Sequence, residues 1–336
     1  MPERRDVAAG VRSPAETDPL PVGAAVDVGS TSIHLLVAGI DGHRLEPLAD
    51  ESRFLRLGDR IAETGHLGLA ARQQLLGTLV GYRAKAQAMG AGSVVFVGTE
   101  AMRRAADAPV VVHEAERAGI GIHVLDHEEE GILMLLGVTG GVPVRKELVM
   151  VDIGGGSSEF VIVGPTRPPV ASGVRLGAAR MTADLATDDP PTPHDVDRLL
   201  VEARARVAEA PEASSREWVA VGGTASNLLK VVPGAVIDRR LTHDQVVDAL
   251  DRLSSMLATD AARRYRINPL RARILPAGAA IVLAILERYR LDGLRVAEQG
   301  VREGAILAAA RGGRDWRDRL TRLAQGWGRA SSKRDG

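Results

Sequence analysis

The fold is decided by residues 149–162, VMVDIGGGSSEFVI. The apolar residues before Asp152 are typical of the end of a buried strand, the three glycines predict a tight turn, and Glu159 begins a second strand that runs back. Consecutive glycines leave the turn without Cβ atoms, so its backbone N–H groups can close on an anion. A carboxylate beside that anion is favourable when a divalent cation lies between the two. The alternative is a glycine-rich hairpin with an incidental aspartate.

Residues 24–38, AAVDVGSTSIHLLVA, repeat this design, with Asp27 in the place of Asp152. A third glycine-hydroxyl turn, Gly222-Gly223-Thr224-Ala225-Ser226, follows the apolar residues 218–221. Self-similarity within one chain indicates a duplicated architecture. Two such hairpins, one in each half of the chain, predict two lobes that cradle a polyphosphate in the cleft between them.

Composition limits the class of protein. A length of 336 residues suggests about two domains, and 45% hydrophobic with 26% charged residues is typical of a globular protein. The formal net charge of zero gives no indication of a specific nucleic-acid partner. The absence of cysteine excludes disulfides, thiolate metal sites and cysteine nucleophiles. No apolar run approaches roughly 18 residues and no signal peptide is visible, which predicts a cytoplasmic protein without a membrane partner.

Four segments are expected along the chain. Residues 1–21 are rich in proline and charge and predict a disordered lead. Residues 22–140 and 141–310 are expected to form the two lobes, separated by the Gly/Pro-rich crossing at 139–147, and the last helix of the second lobe can pack back on the first. Residues 311–336 predict an arginine-rich helix and tail.

Two strand-to-helix junctions carry further candidates. The strand 93–97 leads into GTEAMRR, where Arg103 lies one turn into a helix and is placed to reach a phosphate, unless it is a solvated surface arginine. The strand 122–125 leads into Asp126-His127-Glu128-Glu129-Glu130 at a helix start. One explanation is structural: the helix dipole stabilises acidic side chains at a helix N-terminus. The other is functional: one of these glutamates acts as a general base. With no second histidine nearby, His127 is not expected to bind a metal.

In their order along the chain, these motifs resemble the exopolyphosphatase and guanosine-pentaphosphate phosphohydrolase family (Ppx/GppA). That family belongs to the superfamily of acetate kinase, sugar kinases, Hsp70 and actin. The resemblance covers about residues 22–310 and is most specific in AVDVGSTSIHLLV, GTEAMRRA, VDIGGGSSEFVI, RARILPAGAAIVLAIL and QGVREGAIL. It implies an α/β fold of two ribonuclease-H-like, actin-like ATPase lobes. Each lobe is expected to hold a mixed five-stranded sheet with flanking helices, with the active site in the interlobe cleft.

The resemblance also implies roles for individual residues. Glu130 matches the family's catalytic base, and Arg103 matches the arginine that contacts phosphate. The expected ligands of Mg²⁺, or of another divalent cation such as Mn²⁺, are Asp27, Asp152 and Glu159. The expected phosphate-cradling residues are Gly29, Ser30, Thr31, Gly154, Gly155, Gly156 and Ser157, to which the third turn adds Gly222, Gly223 and Thr224.

This chain departs from the family pattern at several positions. Thr31 replaces the usual asparagine, Glu100 replaces a serine, Arg273 replaces an aspartate, and Asp126-His127 replaces Ser-Gly. None of these changes removes an expected catalytic group, and they leave substrate preference and turnover open.

The expected function is metal-dependent release of terminal phosphate from inorganic polyphosphate, with Glu130 activating water. One alternative is hydrolysis of the 5′-phosphate of guanosine pentaphosphate (pppGpp), the nucleotide of the stringent response. A kinase of the same superfamily is disfavoured by Glu130 at the base position. A polyphosphate or nucleotide sensor with little turnover is a further alternative, and a homodimer is a family expectation.

Overall fold

The computed structural model describes residues 19–232 and 234–324. The predicted lead therefore lies almost wholly outside the described residues, as does the end of the predicted tail. The described part is built from two β-sheets with helices around them, and both sheets mix parallel and antiparallel strands.

The first sheet has five strands in the order β3-β2-β1-β4-β5. Strands β1, β2 and β3 are joined as antiparallel hairpins, whereas β4 pairs in parallel with β1 and β5 in parallel with β4. The C-terminal ends of the central strand β1 and of its parallel neighbour β4 therefore lie side by side. The residues of the candidate site follow these strand ends. The strands are β1 (Val22–Val28), β2 (Ser32–Asp41), β3 (Arg44–Phe54), β4 (Ala91–Gly98) and β5 (Ile122–Val124).

The second sheet repeats this topology and adds a strand. Its order is β10-β11-β9-β6-β7-β8, in which β6 takes the place of β1. The prediction of five strands is correct for the first sheet and wrong for this one, because β10 pairs antiparallel with β11 at the edge. Three residues are too few to show a strand pattern in sequence. The strands are β6 (Leu148–Ile153), β7 (Ser158–Val163), β8 (Val170–Val174), β9 (Trp218–Val221), β10 (Arg240–Thr242) and β11 (Gly293–Val296).

The helices follow the two sheets along the chain. Those between or after the first-sheet strands are α1 (Leu57–Thr64), α2 (Gly68–Ala88), α3 (Glu100–Arg104), α4 (Ala108–Arg117) and α5 (His127–Thr139). Those of the second half are α6 (Ala178–Leu185), α7 (Pro193–Val207), α8 (Gly222–Val231), α9 (Ala235–Asp238), α10 (His243–Ser254), α11 (Ala258–Tyr265) and α12 (Pro269–Arg288). The described chain ends with α13 (Val301–Gly312), two 3₁₀ turns (Gly313–Asp315 and Arg317–Arg319) and α14 (Leu320–Ala324).

Local sequence signals place several helix starts. The Thr192 side chain accepts a hydrogen bond from the Asp195 N–H, and Thr242 does the same for Gln245, so α7 and α10 both begin with a capping box. Helix α1 was not predicted. It begins directly after Arg56, which takes a left-handed conformation with φ of 51°, and no glycine or cap marks that reversal in the sequence.

Helix α12 is the core helix of the second lobe. Among the described residues it is the one helix that is long and apolar enough to cross a membrane. However, 72% of its most apolar 18-residue segment is buried inside the protein. Residues 274–286 form a nearly continuous apolar stretch and are buried throughout. Burial of this apolar surface from water is the main favourable term for the lobe.

Helix α13 crosses from the second half of the chain to the first sheet, where it packs on α5 and β1. The contact with α5 is backbone to backbone. A Cβ atom on Gly304 would lie 1.9 Å from the Leu133 carbonyl oxygen, and one on Gly137 would lie 2.0 Å from the Gly300 oxygen. Only glycine permits this approach, which brings the start of α13, including Arg302, to the cleft.

Candidate active site

A cavity of about 750 Å³ lies between the lobes. The ends of β1 and β6, the turns that follow them, the first turns of α5 and α8, and the segment before α13 all contribute to its wall. Asp27, Glu130 and Asp152 line this one cavity. The sequence stretches singled out for chemistry therefore meet in space, although they are up to 125 residues apart.

The two hairpins are equivalent in detail. Asp27 lies opposite His34 across β1 and β2, and Asp152 lies opposite Glu159 across β6 and β7. Each turn is closed by the same backbone hydrogen bond, from Gly29 N–H to the Ser32 oxygen and from Gly154 N–H to the Ser157 oxygen. The repeated sequence pattern thus produces a repeated turn.

The two turns touch each other across the cleft. A Cβ atom on Gly155 would lie 2.4 Å from Thr31 Oγ1, so only glycine leaves room for the threonine of the other lobe. The carbonyl groups of Gly154 and Gly155 accept hydrogen bonds from the first turn of α6. Thr31 Oγ1 is buried and has no hydrogen-bond partner among the described residues. An unpaired buried hydroxyl at this contact is available to a ligand.

The predicted third turn is the first turn of helix α8. Gly222 has φ of +83°, and a Cβ atom there would lie 2.2 Å from Asp152 Oδ1. Gly223 similarly lies against the guanidinium of Arg271. Thr224, in contrast, packs against Gly278 of α12 and does not line the cavity. The polar side chains that α8 does present to the cavity are Ser226, Asn227 and Lys230.

Glu130 lies in the first turn of α5, whose N-terminus is fixed by a capping box between Asp126 and Glu129. Its side chain is buried, and Oε2 accepts a hydrogen bond of 2.6 Å from Arg103 Nη1. Burial and the neighbouring Glu159 charge raise the pKa of Glu130 well above its ordinary value, while Arg103 opposes this rise. A carboxyl with a raised pKa in a cleft is typical of a proton-transfer group.

Arg103 lies behind Glu130 and does not line the cavity itself. Its guanidinium also donates to the Leu125 carbonyl oxygen at 3.0 Å and lies 3.5 Å from Glu159. The alternative of a solvated surface arginine does not match this environment, because only 16% of the side chain is exposed. In this arrangement Arg103 positions Glu130 instead of lying free in the cleft.

Glu159 is the most buried of these carboxylates. Its Oε1 accepts a hydrogen bond of 2.7 Å from Ser157 Oγ and lies 2.9 Å from His127 Nδ1. Burial, followed by the charge of Asp152, raises the pKa of Glu159 to about 8. The candidate ligand atoms of His127, Glu130 and Glu159 lie within 4.8 Å of one another. His127 and Glu130 are three residues apart, but His127 was not expected to bind a metal because no second histidine is nearby; its neighbour Glu159 is on a distant strand.

Asp27 and Asp152 complete an acidic cluster. Asp27 as a whole is partly exposed, but its Oδ1 atom is buried without a hydrogen-bond partner among the described residues. Burial raises the pKa of Asp27 to about 7 and that of Asp152 to about 6, against the opposing charges of Arg302 and Arg271 respectively. An orphaned carboxylate oxygen beside further carboxylates is the donor set that a hard divalent cation requires. Among the described residues, the set whose candidate ligand atoms lie within 4.8 Å of one another is His127, Glu130 and Glu159, and Asp27 and Asp152 supply further carboxylates to the same cavity.

Arg271 and Arg302 are cavity residues that the sequence analysis did not select. Arg271, on α12, donates to Ser32 Oγ at 2.9 Å and lies over the Phe54 ring, 5.5 Å from its centroid. Burial and these two arginines lower the pKa of His34 to about 3, so that the imidazole is neutral. Arg271 occurs within the apolar sequence of α12, and nothing in that sequence indicates that its side chain contacts Ser32 of the other lobe.

Comparison with known proteins then assigns the chain. The model of the Ppx/GppA phosphatase family matches residues 36–311, well over half of the sequence. The chain belongs to the Ppx/GppA phosphatase family. The resemblance in the motifs is thereby confirmed.

Exopolyphosphatase 1 of Mycobacterium tuberculosis is 28% identical over 298 residues, which cover 84% of this chain and 86% of that protein. Guanosine-5′-triphosphate,3′-diphosphate pyrophosphatase of Vibrio campbellii is 28% identical over 299 residues, covering 85% of this chain and 59% of that protein. The crystal structure of the Aquifex aeolicus Ppx/GppA member aligns with a TM-score of 0.73 at 27% identity, over 87% of this chain and 98% of that one. These similarities confirm the predicted two-lobed, actin-like fold class.

The departures from the Ppx/GppA pattern have different surroundings. Thr31 contacts the glycine turn of the other lobe, and His127 joins the carboxylate cluster, where its ring packs on Gly173 of β8. Glu100 is buried at the contact between the lobes. Arg273 donates to the Ala186 carbonyl oxygen at the end of α6 and does not line the cavity. Three of the four departures are therefore at the site, and the fourth is structural.

Proposed function

We propose that this Ppx/GppA phosphatase is an exopolyphosphatase, which hydrolyses the terminal phosphoanhydride of inorganic polyphosphate. The observation that carries the proposal is Glu130, a buried carboxyl of raised pKa that lines a cavity flanked by two phosphate turns. Lys230, Arg266, Arg271 and Arg302 line the same cavity among a larger number of carboxylates, and each can donate hydrogen bonds to a phosphate group of the substrate. The relatives named exopolyphosphatase support the same reaction.

Glu130 is the proposed general base. It accepts the proton of a water molecule that attacks the terminal phosphorus in line with the departing oxygen. Arg103 fixes its orientation through the 2.6 Å hydrogen bond and favours its charged form. The product is one inorganic phosphate and a chain shorter by one unit.

Asp27, Asp152 and Glu159 are the proposed holders of the divalent cation, with Mg²⁺ or Mn²⁺ as the expected ion. When bound, the ion supplies positive charge that polarises the terminal phosphoryl group. The proposed donors to phosphate oxygens are the backbone N–H groups of residues 30–31 and 155–157, since those of Gly29 and Gly154 already close their own turns. His127 lies within reach of the same ion.

A second candidate reaction is removal of the 5′-phosphate of pppGpp. It is favoured by the apolar part of the cavity wall, where Leu45, Pro47 and Phe54 of β3 offer a surface for a nucleobase. The Vibrio campbellii relative named a guanosine pentaphosphate pyrophosphatase is consistent with that reaction. A sensor would use the same cavity for binding without turnover.

The test is phosphate release from long-chain polyphosphate, tripolyphosphate, pppGpp and ATP, each with and without Mg²⁺. We expect Mg²⁺-dependent release that is fastest with long-chain polyphosphate and is lost in Glu130→Gln. Release from pppGpp alone selects the second reaction. Tight binding of either substrate with no release by the wild-type protein selects a sensor.

We further propose a cytoplasmic location and a homodimer formed through the helices of the second lobe. The location follows from the soluble substrates of the proposed reactions. Sedimentation equilibrium of the full chain tests the dimer, and a single species of about 36 kDa contradicts it.

A further inference from the structure

Glu100 is a buried carboxylate that joins the two lobes. It lies at the start of α3, in the first lobe, and is only 6% exposed. Its Oε2 accepts a hydrogen bond of 2.6 Å from Ser30 Oγ, in the phosphate turn of the same lobe. Its Oε1 accepts one of 2.7 Å from Arg180 Nη2, on α6 of the second lobe, and one of 3.2 Å from Arg104.

These contacts occupy donors that a phosphate would need. A serine hydroxyl has one proton, and the proton of Ser30 is directed to Glu100. Arg180 is also tied to the second phosphate turn, since its Nε donates to the Gly156 carbonyl oxygen at 3.0 Å. Both groups are next to the turns that are proposed to hold the substrate.

The carboxylate also covers the surface of the second turn. A Cβ atom on Gly156 would lie 2.5 Å from Glu100 Oε2 and 2.9 Å from Oε1. The carboxylate therefore lies in contact with the glycine Cα, and no phosphate oxygen fits between them. In shape and charge, Glu100 resembles a bound anion: it is planar, negatively charged and surrounded by a hydroxyl and two guanidinium groups.

We propose that Glu100 competes internally with phosphate groups for Ser30 and Arg180, and so sets the affinity of the cleft for anions. The inference rests on the proposed function, because it takes the turns at residues 29–31 and 154–157 as the phosphate site. A phosphate that enters must displace the Glu100 carboxylate, or else accept hydrogen bonds from fewer donors. Release of Glu100 also breaks its link between Ser30 of one lobe and Arg180 of the other, so anion binding is coupled to separation of the lobes.

The experiment measures binding of inorganic phosphate and tripolyphosphate by calorimetry, and KM and kcat for polyphosphate. We expect Glu100→Ser to lower the Kd for phosphate roughly tenfold, the size of one charge-assisted hydrogen bond regained. KM is expected to fall in parallel, with kcat changed less. Glu100→Gln, which keeps an acceptor for Ser30 but removes the charge, is expected to give a smaller gain in the same direction.

A double-variant cycle with Ser30→Ala separates competition from a structural effect. In the wild-type background Ser30→Ala is expected to change phosphate affinity less than about twofold, because its proton already serves Glu100. In the Glu100→Ser background the same change is expected to weaken binding roughly fivefold. A residue that only stabilises the fold would produce no such dependence on background.

Glu287→Gln is the matched control. Glu287 accepts hydrogen bonds of 2.8 and 3.0 Å from Arg204 between α12 and α7, and it does not line the cavity. This variant also removes an arginine-paired carboxylate, and it is expected to leave phosphate affinity unchanged.

Two outcomes overturn the inference: a phosphate Kd that stays within about twofold of wild type in both Glu100 variants, or one that rises in both. If Glu100→Ser does not fold, Glu100→Gln decides alone. If phosphate binding responds as expected while neither polyphosphate nor pppGpp is hydrolysed, the proposed reaction fails and the inference about Glu100 stands.

Discussion

Asp152 lies directly opposite Glu159 across the β6–β7 hairpin, as Asp27 lies opposite His34 across the β1–β2 hairpin. The duplicated hairpin therefore presents two carboxylates from one lobe and a carboxylate with a neutral imidazole from the other. Burial raises the pKa of Asp27, Asp152 and Glu159. Negative charge is thus unfavourable in the cluster unless a cation accompanies it.

The first prediction concerns the pH dependence of stability without a metal. The pKa of Asp27 is about 7 in the folded protein, above its ordinary value near 3.8. Between these values the folded state holds a proton that the unfolded state has lost. The contribution of Asp27 to the unfolding free energy is therefore full below about pH 4 and is lost as the pH rises through 7, at up to about 1.4 kcal/mol per pH unit.

Urea unfolding of wild type and Asp27→Asn in EDTA, from pH 5 to pH 8, measures this contribution. We expect the variant to gain stability relative to wild type as the pH rises. Saturating Mg²⁺ should remove the advantage, because the ion stabilises the ionised carboxylate of the wild type. A difference between the two proteins that is constant with pH contradicts the raised pKa.

The second prediction concerns Glu130. Glu130→Gln keeps the shape of the side chain and its contact with Arg103 but cannot accept a proton. We expect kcat for polyphosphate to fall by about 10²–10⁴, the usual contribution of a general base. Glu128→Gln is the matched control, since Glu128 lies two residues earlier on the same helix and is exposed. Full phosphate release by Glu130→Gln would remove the proposed mechanism.

The third prediction concerns Arg103 as a positioning residue. Its charge lowers the pKa of Glu130 against the effects of burial and Glu159. In Arg103→Met the Glu130 pKa is therefore expected to rise, and the acidic limb of the pH–rate profile should move to higher pH. Arg103→Lys, which keeps the charge, should move the limb less. A profile that only decreases in height, with no shift, indicates that Arg103 acts on the substrate instead.

Local patterns were sufficient to predict most elements. The two hairpins follow from Asp, glycine and alternating apolar residues that are adjacent in the chain, and the starts of α7 and α10 follow from Thr192 and Thr242. Strand β10 has too few residues for a pattern, and α1 begins after a left-handed arginine that no sequence rule marks. Short-range signals thus predict elements, and tertiary context decides the exceptions.

The candidate site shows the same division. Glu130, Asp27 and Asp152 belong to motifs and were found from sequence, whereas Arg271 reaches Ser32 from 239 residues away. Such a contact depends on how the lobes meet, which residue spacing does not encode. Thr224 had the hydroxyl that the pattern required, but its helix turns that side chain towards Gly278 and presents Ser226 to the cavity instead.

The last prediction concerns Gly222, which has a left-handed backbone conformation and lies against the carboxylate of Asp152. Gly222→Ala forces a residue with a Cβ atom to take φ near +83° and places that atom 2.2 Å from Asp152 Oδ1. Gly42→Ala is the matched control, because Gly42 has φ of +58° and a Cβ atom there would meet nothing within 4 Å. Both variants should lose about 1–2 kcal/mol of unfolding free energy from the left-handed conformation. Only Gly222→Ala should also weaken Mg²⁺ binding, measured by calorimetry, since it displaces the Asp152 carboxylate. Equal Mg²⁺ affinity in the two variants would show that Asp152 does not hold the ion.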